Sequence, residues 1–169
     1  MNDVSIRKAI FDDAYHIMEL LNNLDKETDF MLFEAEERKN QKDIQMKIKT
    51  SLKNQNNEII FVATNADNKL IGIIMGLGGK VNRQKHTIHI VIGVMQKFCF
   101  QGIGKKLMQL LEIWAMDNKF HRLQLTVMVS NKRAILFYER CGFQIEGIKR
   151  DSIMLNGKYI DELYMYKLI

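Results

Sequence analysis

The sequence predicts a mixed α/β protein in which one sheet is covered by helices on both faces. Three observations predict it. Segments with the two-residue apolar period of strands alternate along the chain with segments that have the helical period. Turn-rich sequences, "NADN" at 65–68 and "NG" at 156–157, each join two strand segments and indicate antiparallel hairpins. Residues 86–129 have the order strand, helix, strand, which is typical of a parallel β-α-β unit.

The pattern begins with a strand and a helix. "VSIRKAI" at 4–10 has strand character, and residues 11–27 have the helical period. Asp12 or Asp13 is expected to be the N-cap of this helix, because a short acidic side chain accepts a bond from a free N–H of the first turn. The apolar residues of the helix share one face: Ala14, Ile17, Leu20, Leu21 and Leu24.

An irregular segment, a second helix and the first hairpin follow. "TDFMLFEAEERK" at 28–39 has no regular period. A more polar helix is expected over 41–55. The strands of the hairpin are expected at 58–64 and 69–79, on either side of the "NADN" turn.

The second half contains the β-α-β unit and the closing hairpin. In the strand at 86–94, one face carries Ile88, Ile90, Ile92 and Val94, and the other carries His89, Val91 and Gly93. The helix over 102–118 has an apolar stripe that suits a helix lying on a sheet. The remaining elements are a strand, a short helix and two strands, at 122–129, 131–141, 143–155 and 158–168.

Length and composition predict one globular domain over residues 1–169. The chain has 169 residues, of which 47% are hydrophobic, and this is enough for a substantial core. The sequence contains no run of about 18 apolar residues, so we expect no membrane-spanning helix. The N-terminal stretch "MNDVSIRKAIFDDAYHI" lacks the pattern of a signal peptide, so we expect a cytoplasmic protein that does not act at membranes.

Charge and cysteine content narrow the expected partners. The net charge of +5 mildly favours an anionic ligand, but the lysines are scattered and no aromatic-plus-basic motif predicts nucleic-acid binding. Two cysteines, Cys99 and Cys141, are too few for a disulfide framework or a zinc site. We therefore expect two free thiols, buried or half-buried, and no metal.

The sequence "QGIGKKL" at 101–107 indicates an anion at the start of a helix. The first N–H groups of a helix lack partners, and together with the helix dipole they form a partial positive end. Gly102 and Gly104 remove side chains there, while Lys105 and Lys106 add charges that the dipole alone disfavours. A phosphate or pyrophosphate would reverse that sign. Neither the P-loop nor the dinucleotide motif is present, and a glycine turn without a ligand stays open as the alternative.

Two signatures, in the expected order, resemble those of the GNAT acetyltransferase superfamily. "VMQKFCFQGIGKKLM" is similar to its acetyl-CoA loop, R/Q-x-x-G-x-G/A after a strand that ends in Val. "NKRAILFYERCGF" at 131–143 is similar to the next signature, N-x-x-A-x-x-x-Y-x-x-x-G-F. The resemblance covers residues 4–168. It implies the acyl-CoA N-acyltransferase fold, a mostly antiparallel sheet of about seven strands with helices on both faces.

The resemblance also implies how acetyl-CoA would be held. The strand segment Ile92, Gly93 and Val94 would diverge from its neighbour, bond the pantetheine arm through its backbone and polarise the thioester carbonyl near Val94. The loop would hold the pyrophosphate through the backbone amides of Gln101, Gly102, Ile103, Gly104 and Lys105. Asn131 would bond the cofactor or, alternatively, only cap a helix. Phe137 would pack near the cofactor or belong only to the core.

Tyr138 matches the tyrosine that protonates the departing CoA thiolate in the family. A phenol has a pKa near 10 and a thiol a pKa near 8.5, so the phenol stays protonated at neutral pH and can hydrogen-bond the sulfur. The alternative is a tyrosine that only fills the space between a helix and the sheet.

Three positions depart from the family pattern. Cys99 replaces the usual Arg or Gln, so the backbone amides, Gln101 and the lysines would have to hold the phosphates. Phe100 replaces a residue that is often Gly. His89 stands where many members have Glu; a histidine accepts a proton near neutral pH and is a candidate base for the amine, with a sheet histidine of structural role as the alternative.

The irregular segment 28–39 corresponds to the substrate-side loop of related proteins. Phe30, Met31 and Phe33 would wall an acceptor site. Glu34 or Glu37 would meet an ammonium group, unless this acidic run only begins a helix.

The sequence and the resemblance together predict an N-acetyltransferase. It would transfer the acetyl group of acetyl-CoA to a primary amine, that of a small molecule or an amino acid, by direct attack and without a metal. The N-terminus or a lysine of another protein is the alternative acceptor. A non-catalytic acetyl-CoA-binding regulatory module is the alternative of another class, and the resemblance leaves a homodimer open.

Overall fold

The structure is a computed structural model that describes residues 4–40, 42–53 and 57–169. Seven strands are, in chain order, β1 Ser5–Lys8, β2 Glu58–Thr64, β3 Leu70–Gly78, β4 Thr87–Val94, β5 Arg122–Met128, β6 Gln144–Leu155 and β7 Lys158–Leu168. Four α-helices are α1 Ala14–Glu27, α2 Lys42–Lys53, α3 Ile103–Asp117 and α4 Lys132–Arg140. Short 3-10 turns lie at Phe11–Asp13, Glu37–Asn40 and Gln96–Phe98.

The strands form one sheet with the order β1-β2-β3-β4-β5-β7-β6. Every neighbouring pair is antiparallel except β4 and β5, which are parallel because α3 crosses over between them. The predicted mixed α/β class, both hairpins and the β-α-β unit are thereby confirmed. None of the helices in the described ranges is long and apolar enough to cross a membrane.

Each face of the sheet buries its own apolar core. On one face α1 and α2 pack on β2 and β3, through a cluster that includes Ile17, Leu20, Leu21, Leu52 and Ile73. On the other face α3 and α4 pack on the centre of the sheet, through a cluster that includes Ile88, Ile90, Leu107, Leu111 and Leu123. The strand periodicity sets this division, because successive side chains of a strand point to opposite faces.

The start of α1 differs from the prediction that Asp12 or Asp13 caps it. Asp13 precedes the helix but makes no capping bond to it, since a 3-10 turn with helical backbone angles comes first. Its carboxylate instead accepts the backbone N–H of Ile10 at 2.8 Å and two bonds from the Arg7 guanidinium at 2.7 and 2.8 Å. The hydrogen bond from Arg7 lowers the pKa of the Asp13 carboxyl. This side chain therefore fixes the connection from β1 to α1.

Gly93 allows α1 to lie directly on β4. A Cβ at this position would lie 2.6 Å from Leu24 Cδ1, and Leu24 is only 3% exposed. The glycine therefore serves the packing of α1 on the sheet, in addition to any contact that its backbone makes with a ligand.

We expect Gly93→Ala to destabilise the protein by about 1–3 kcal/mol, because an added methyl group overpacks a buried contact. The measurement is urea unfolding followed by circular dichroism. Gly147→Ala is the matched control, since a Cβ at Gly147 meets only Tyr164, at 3.9 Å. Equal stability of the two variants would contradict this account of Gly93.

Candidate functional site

The centre of the sheet opens between β4 and β5. These two strands pair at only three positions, Thr87 with Arg122, Ile88 with Leu123, and His89 with Gln124. Beyond them β4 continues to pair with β3 as far as Val94, and β5 continues to pair with β7 as far as Met128. The two strands thus bound a V-shaped opening whose inner edges have no strand partner, so their backbone groups are available to a ligand.

A loop with free backbone amides follows β4 at the wide end of this opening. Phe100 and Gly102 have left-handed backbone angles, with φ of 63° and 78°. Gly102 is the N-cap of α3, and no side chain caps the helix. The first bond that closes this helix joins the Lys106 N–H to the Gly102 carbonyl at 3.1 Å. The amide groups that precede Lys106 in the first turn therefore point out of the helix and can bind an anion.

Basic side chains surround these amides. Lys105 and Lys106 are exposed on the first turn of α3. The Arg133 guanidinium, on the first turn of α4, lies over the Phe100 ring, 4.2 Å from the ring centroid. Phe100 is itself 89% exposed. The contact between Arg133 and Phe100 thus brings the first turn of α4 next to the loop.

Cys99 turns away from the amides. Its thiol donates to the carbonyls of Val94 and Met95, each at 3.5 Å, and so ties the loop to the end of β4. Gln101, the next polar candidate, donates from Nε2 to the Lys97 carbonyl at 3.4 Å. Cys99 and Cys141 are both free and half-buried, which confirms the expectation for the thiols.

Two residues of the α4 signature, Asn131 and Phe137, have identifiable structural roles. Asn131 is the N-cap of α4 and accepts the Ala134 N–H at 3.1 Å, so the capping alternative is realised. Phe137 lies over the loop, since a Cβ at Gly104 would be 3.5 Å from its ring and 4.0 Å from Ile92. Phe137 therefore bridges α4, the start of α3 and the edge of β4.

Tyr138 lies between α4 and the sheet. It is 8% exposed, its ring contacts those of Phe137 and Phe143 at centroid distances of 5.4 and 5.9 Å, and it belongs to the core that contains Leu125 and Val127 of β5. Burial raises the pKa of Tyr138 far above its usual value. Its hydroxyl consequently stays protonated near neutral pH.

A half-buried lysine, Lys167, fixes the end of the helix that carries Tyr138. Lys167 Nζ on β7 donates to Glu112 Oε1 on α3 at 2.7 Å and to the Cys141 carbonyl, at the C-cap of α4, at 2.8 Å. It therefore holds α3, α4 and the sheet together.

His89 lies at the narrow end of the opening, on the sheet face opposite Tyr138. It is half-buried and lines a pocket of about 430 Å³ together with Leu77, Gly78, Gly79, Lys80, Gln84, Thr87 and Gln124. Burial lowers the pKa of His89, with Lys149 acting in the same direction and Glu162 against it. The imidazole is therefore neutral near pH 7, and a neutral imidazole can accept a proton.

The irregular segment is anchored by a buried ion pair. Arg38 donates to both carboxylate oxygens of Asp25 on α1, at 2.7 and 3.1 Å. Their side chains are only 7% and 0% exposed, and the Arg38 guanidinium lies 4.1 Å from the centre of the Phe33 ring. Such a buried, bidentate pair holds the end of the segment against α1.

Glu27 joins the start of this segment to the end of β4. It accepts the Gln96 backbone N–H at 2.8 Å, and its carbonyl accepts the Gln96 side chain at 2.7 Å. The predicted acceptor residues Phe30 and Glu34 are exposed in this segment. The Glu37 carboxylate forms a hydrogen bond within the same segment, because it accepts the Glu34 N–H at 3.0 Å.

Sequence reasoning missed an acidic residue on the same face as His89. Glu162 on β7 is 7% exposed and accepts bonds from Lys149 and Ser152 of β6, both at 2.9 Å. Burial would raise the pKa of Glu162, but the bonds from Lys149, Thr126 and Ser152 together lower it. Only the pairing of β6 with β7 reveals this cluster, because no sequence motif marks these residues.

An open V between parallel strands, with helix N-terminal amides at its wide end, defines a class of acyl-CoA-binding folds. The chain belongs to the acetyltransferase (GNAT) family, whose model matches residues 18–143. This confirms the family resemblance found in the sequence.

The chain is similar to two curated proteins. It is 32% identical over 87 residues to the L-amino acid N-acetyltransferase AaaT of Escherichia coli, across 51% of this chain and 54% of that protein. It is 30% identical over 118 residues to the spermidine N(1)-acetyltransferase of Vibrio cholerae, across 67% of this chain and 65% of that protein. The matches thus span about half to two thirds of those proteins.

A solved structure agrees over almost the whole chain. A GNAT-family acetyltransferase from Streptococcus pneumoniae superposes with a TM-score of 0.91 and 28% identity, covering 99% of this chain and 100% of that one. The family fold predicted from the sequence is therefore confirmed.

Proposed function

We propose that this protein transfers the acetyl group of acetyl-CoA to the primary amine of a small molecule or an amino acid. The observation that carries the proposal is the divergence of β4 from β5, with the free amides of the α3 N-terminus at the wide end of the opening. The names of the two curated relatives, one for L-amino acids and one for spermidine, support a small amine as the acceptor.

The residues at the opening fit acetyl-CoA. A Cβ at Gly102 would meet no atom within 4 Å, which leaves space for phosphate groups beside the amides of residues 101–105. Lys105 and Lys106 supply the matching charge. The edge of β4 at residues 92–94 would bond the pantetheine arm, and Phe137 would pack beside it. The oxygen of the Asn131 side chain caps α4, so its amide nitrogen would be available to the cofactor.

Acetyl-CoA, when bound, supplies an activated acetyl group whose C–S bond breaks as the C–N bond to the acceptor forms. The opening holds the two reactants together, and a β4 backbone N–H near Val94 polarises the carbonyl. Tyr138 donates its proton to the departing thiolate and recovers one from solvent. Its raised pKa keeps the hydroxyl protonated near neutral pH, so it can hydrogen-bond the sulfur as negative charge develops there.

The acceptor must lose a proton because an ammonium group has no lone pair. His89 takes this proton, directly or through water, from the side of the sheet opposite Tyr138. Its neutral form, favoured by burial, is the form that can accept a proton. Acid and base thus act from opposite faces of the same opening.

Gly104→Ala separates ligand binding from stability. In a helix Ala is more stable than Gly by up to about 1 kcal/mol, and the new Cβ would meet Phe137 at an ordinary 3.5 Å, so the melting temperature should not fall. The same methyl group obstructs the approach of phosphates to the amides. We expect the Kd for CoA, measured by calorimetry, to rise about 10-fold, or about 1.4 kcal/mol. An unchanged Kd would contradict this assignment of the loop.

Tyr138→Phe tests the transfer reaction itself. We expect kcat for thiol release from acetyl-CoA to fall about 100-fold with the best amine of a broad panel, because the acid is lost. The CoA affinity and the melting temperature should stay unchanged. Tyr166→Phe is the control, since that hydroxyl bonds only the exposed Gln144 side chain. If CoA binds but no amine is acetylated, and Tyr138→Phe changes nothing, the protein is a binding module and not an enzyme.

The pH profile tests His89. Because burial lowers its pKa, the neutral form persists below the usual value of about 6.5, and the acid limb of kcat should lie below that pH. Glu162, Lys149 and Lys80 are the charged groups that face it. In His89→Gln we expect the rate to follow the free-amine fraction and the optimum to move up toward the pKa of the amine. An identical profile in the variant would exclude His89 as the base.

A further inference from the structure

The face of the sheet that carries His89 is apolar over one half of the sheet and polar over the other half. Over β2 and β3 it is apolar and covered by α1 and α2. Across β5, β7 and β6 the strand register puts polar residues on the same face, among them Gln124, Thr126 and Glu162. A polar surface beside a V-shaped opening is a candidate surface for a polar ligand.

Glu162 is the buried charge of this surface. It is only 7% exposed. Lys149 lies directly opposite on β6 and donates to its Oε2 at 2.9 Å. Ser152 donates to the same oxygen at 2.9 Å. Thr126 is a third donor to this carboxylate. A carboxylate has about four lone-pair positions, so Glu162 keeps acceptor capacity for one donor of a ligand.

A distortion of β6 holds this arrangement in place. The register between β6 and β7 shifts between Lys149 and Ile153, and Asp151 takes a left-handed φ of 47°. The shift brings the Ser152 hydroxyl back to Glu162 and to the Lys149 carbonyl, at 3.2 Å. Irregularities of this kind often re-aim side chains next to functional sites.

Glu162 and His89 lie at the two ends of the same opening. Glu162 is opposite Met128, the last residue of β5, while His89 is opposite Gln124 at the narrow end. Alternate positions along β5 share a face, so Gln124, Thr126 and Met128 connect the two groups. The charges of Glu162 and Lys149 are both felt at His89.

We propose that Glu162 and Lys149 recognise a zwitterionic acceptor, an α-amino acid, by binding its ammonium and its carboxylate respectively. This inference rests on the proposed function and specifies its substrate class. The Glu162 carboxylate receives the ammonium group. Lys149 Nζ, whose side chain is 43% exposed, has donors left for the carboxylate. Ser152 is a positioning residue that holds Glu162.

The balance of charge favours a zwitterion over a simple amine. Glu162 is already neutralised by Lys149, so an amine without a carboxylate would add an uncompensated positive charge beside Lys149. A polyamine would add several, near Lys149 and Lys80. An amino acid keeps the site neutral and satisfies both partners, because each of its charges meets the opposite one.

The test measures steady-state acetylation with L-amino acids, the amide of the best one, and spermidine. The wild type should prefer the amino acid to its amide by at least about 10-fold in kcat/KM, which is about 1.4 kcal/mol. Lys149→Met should abolish that preference. Glu162→Gln should raise the KM of every amine about 10-fold or more, with the KM of acetyl-CoA unchanged.

The neighbouring ion pair provides matched controls. Arg150 and Asp161 also join β6 to β7, at 2.7 Å, and Arg150 is 74% exposed. Arg150→Met and Asp161→Asn should leave the amino acid preference and both KM values unchanged. Equal effects of the control variants would show that only the hairpin, and not the Glu162–Lys149 pair, matters.

Three results would overturn the proposal. The first is that spermidine is a better substrate than any amino acid. The second is that Glu162→Gln lowers the melting temperature and alters the KM of the amine and the KM of acetyl-CoA in parallel, as the loss of a merely structural ion pair would. If the wild type acetylates no amine, the proposed function fails, and L-amino acid binding measured by saturation-transfer NMR decides this inference instead. Binding that is retained in Glu162→Gln would then overturn it.

Discussion

The short pairing of β4 with β5 is the constraint on which the rest of the site depends. Three paired positions hold the strands together at one end, while β3 and β7 keep each strand straight beyond them. The strands must therefore diverge, and their inner edges keep unpaired backbone groups. The α3 crossover that makes this pair parallel also places its N-terminal amides at the wide end. One topological feature thus supplies the opening, the exposed edge and the proposed anion site together.

The sheet then divides the proposed chemistry between its two faces. On the α3 and α4 face lie Phe137, Tyr138 and the free amides, which the proposed function assigns to the donor. On the opposite face, His89 and the Glu162 cluster form a polar surface beside the loop that α1 carries. Because neighbouring residues of a strand alternate between faces, a shift of one residue in β4 would move His89 to the donor side and Ile90 to the acceptor side.

Local patterns were enough to predict the elements, and the family resemblance adds the proposed donor side of the site. Alternation and turn residues located all seven strands, and the glycines at 102 and 104 with the α4 signature located the loop and Tyr138. Contacts between residues that are far apart in the sequence could not be predicted from local patterns. Glu27 meets Gln96 across 69 positions, and Glu162 becomes buried only through the irregular pairing of β6. Asp13 was assigned to a helix cap, but the partner it binds, Arg7, lies in the preceding strand.

The buried pair of Asp25 and Arg38 has a consequence for how such a protein can change over evolutionary time. It closes the irregular segment at one end, as Glu27 and Gln96 fix the other, and the segment between carries mostly exposed side chains. Substitutions there leave both anchors and both cores intact. Substitutions can therefore accumulate in this segment within a lineage while both cores and the fold stay under unchanged selection.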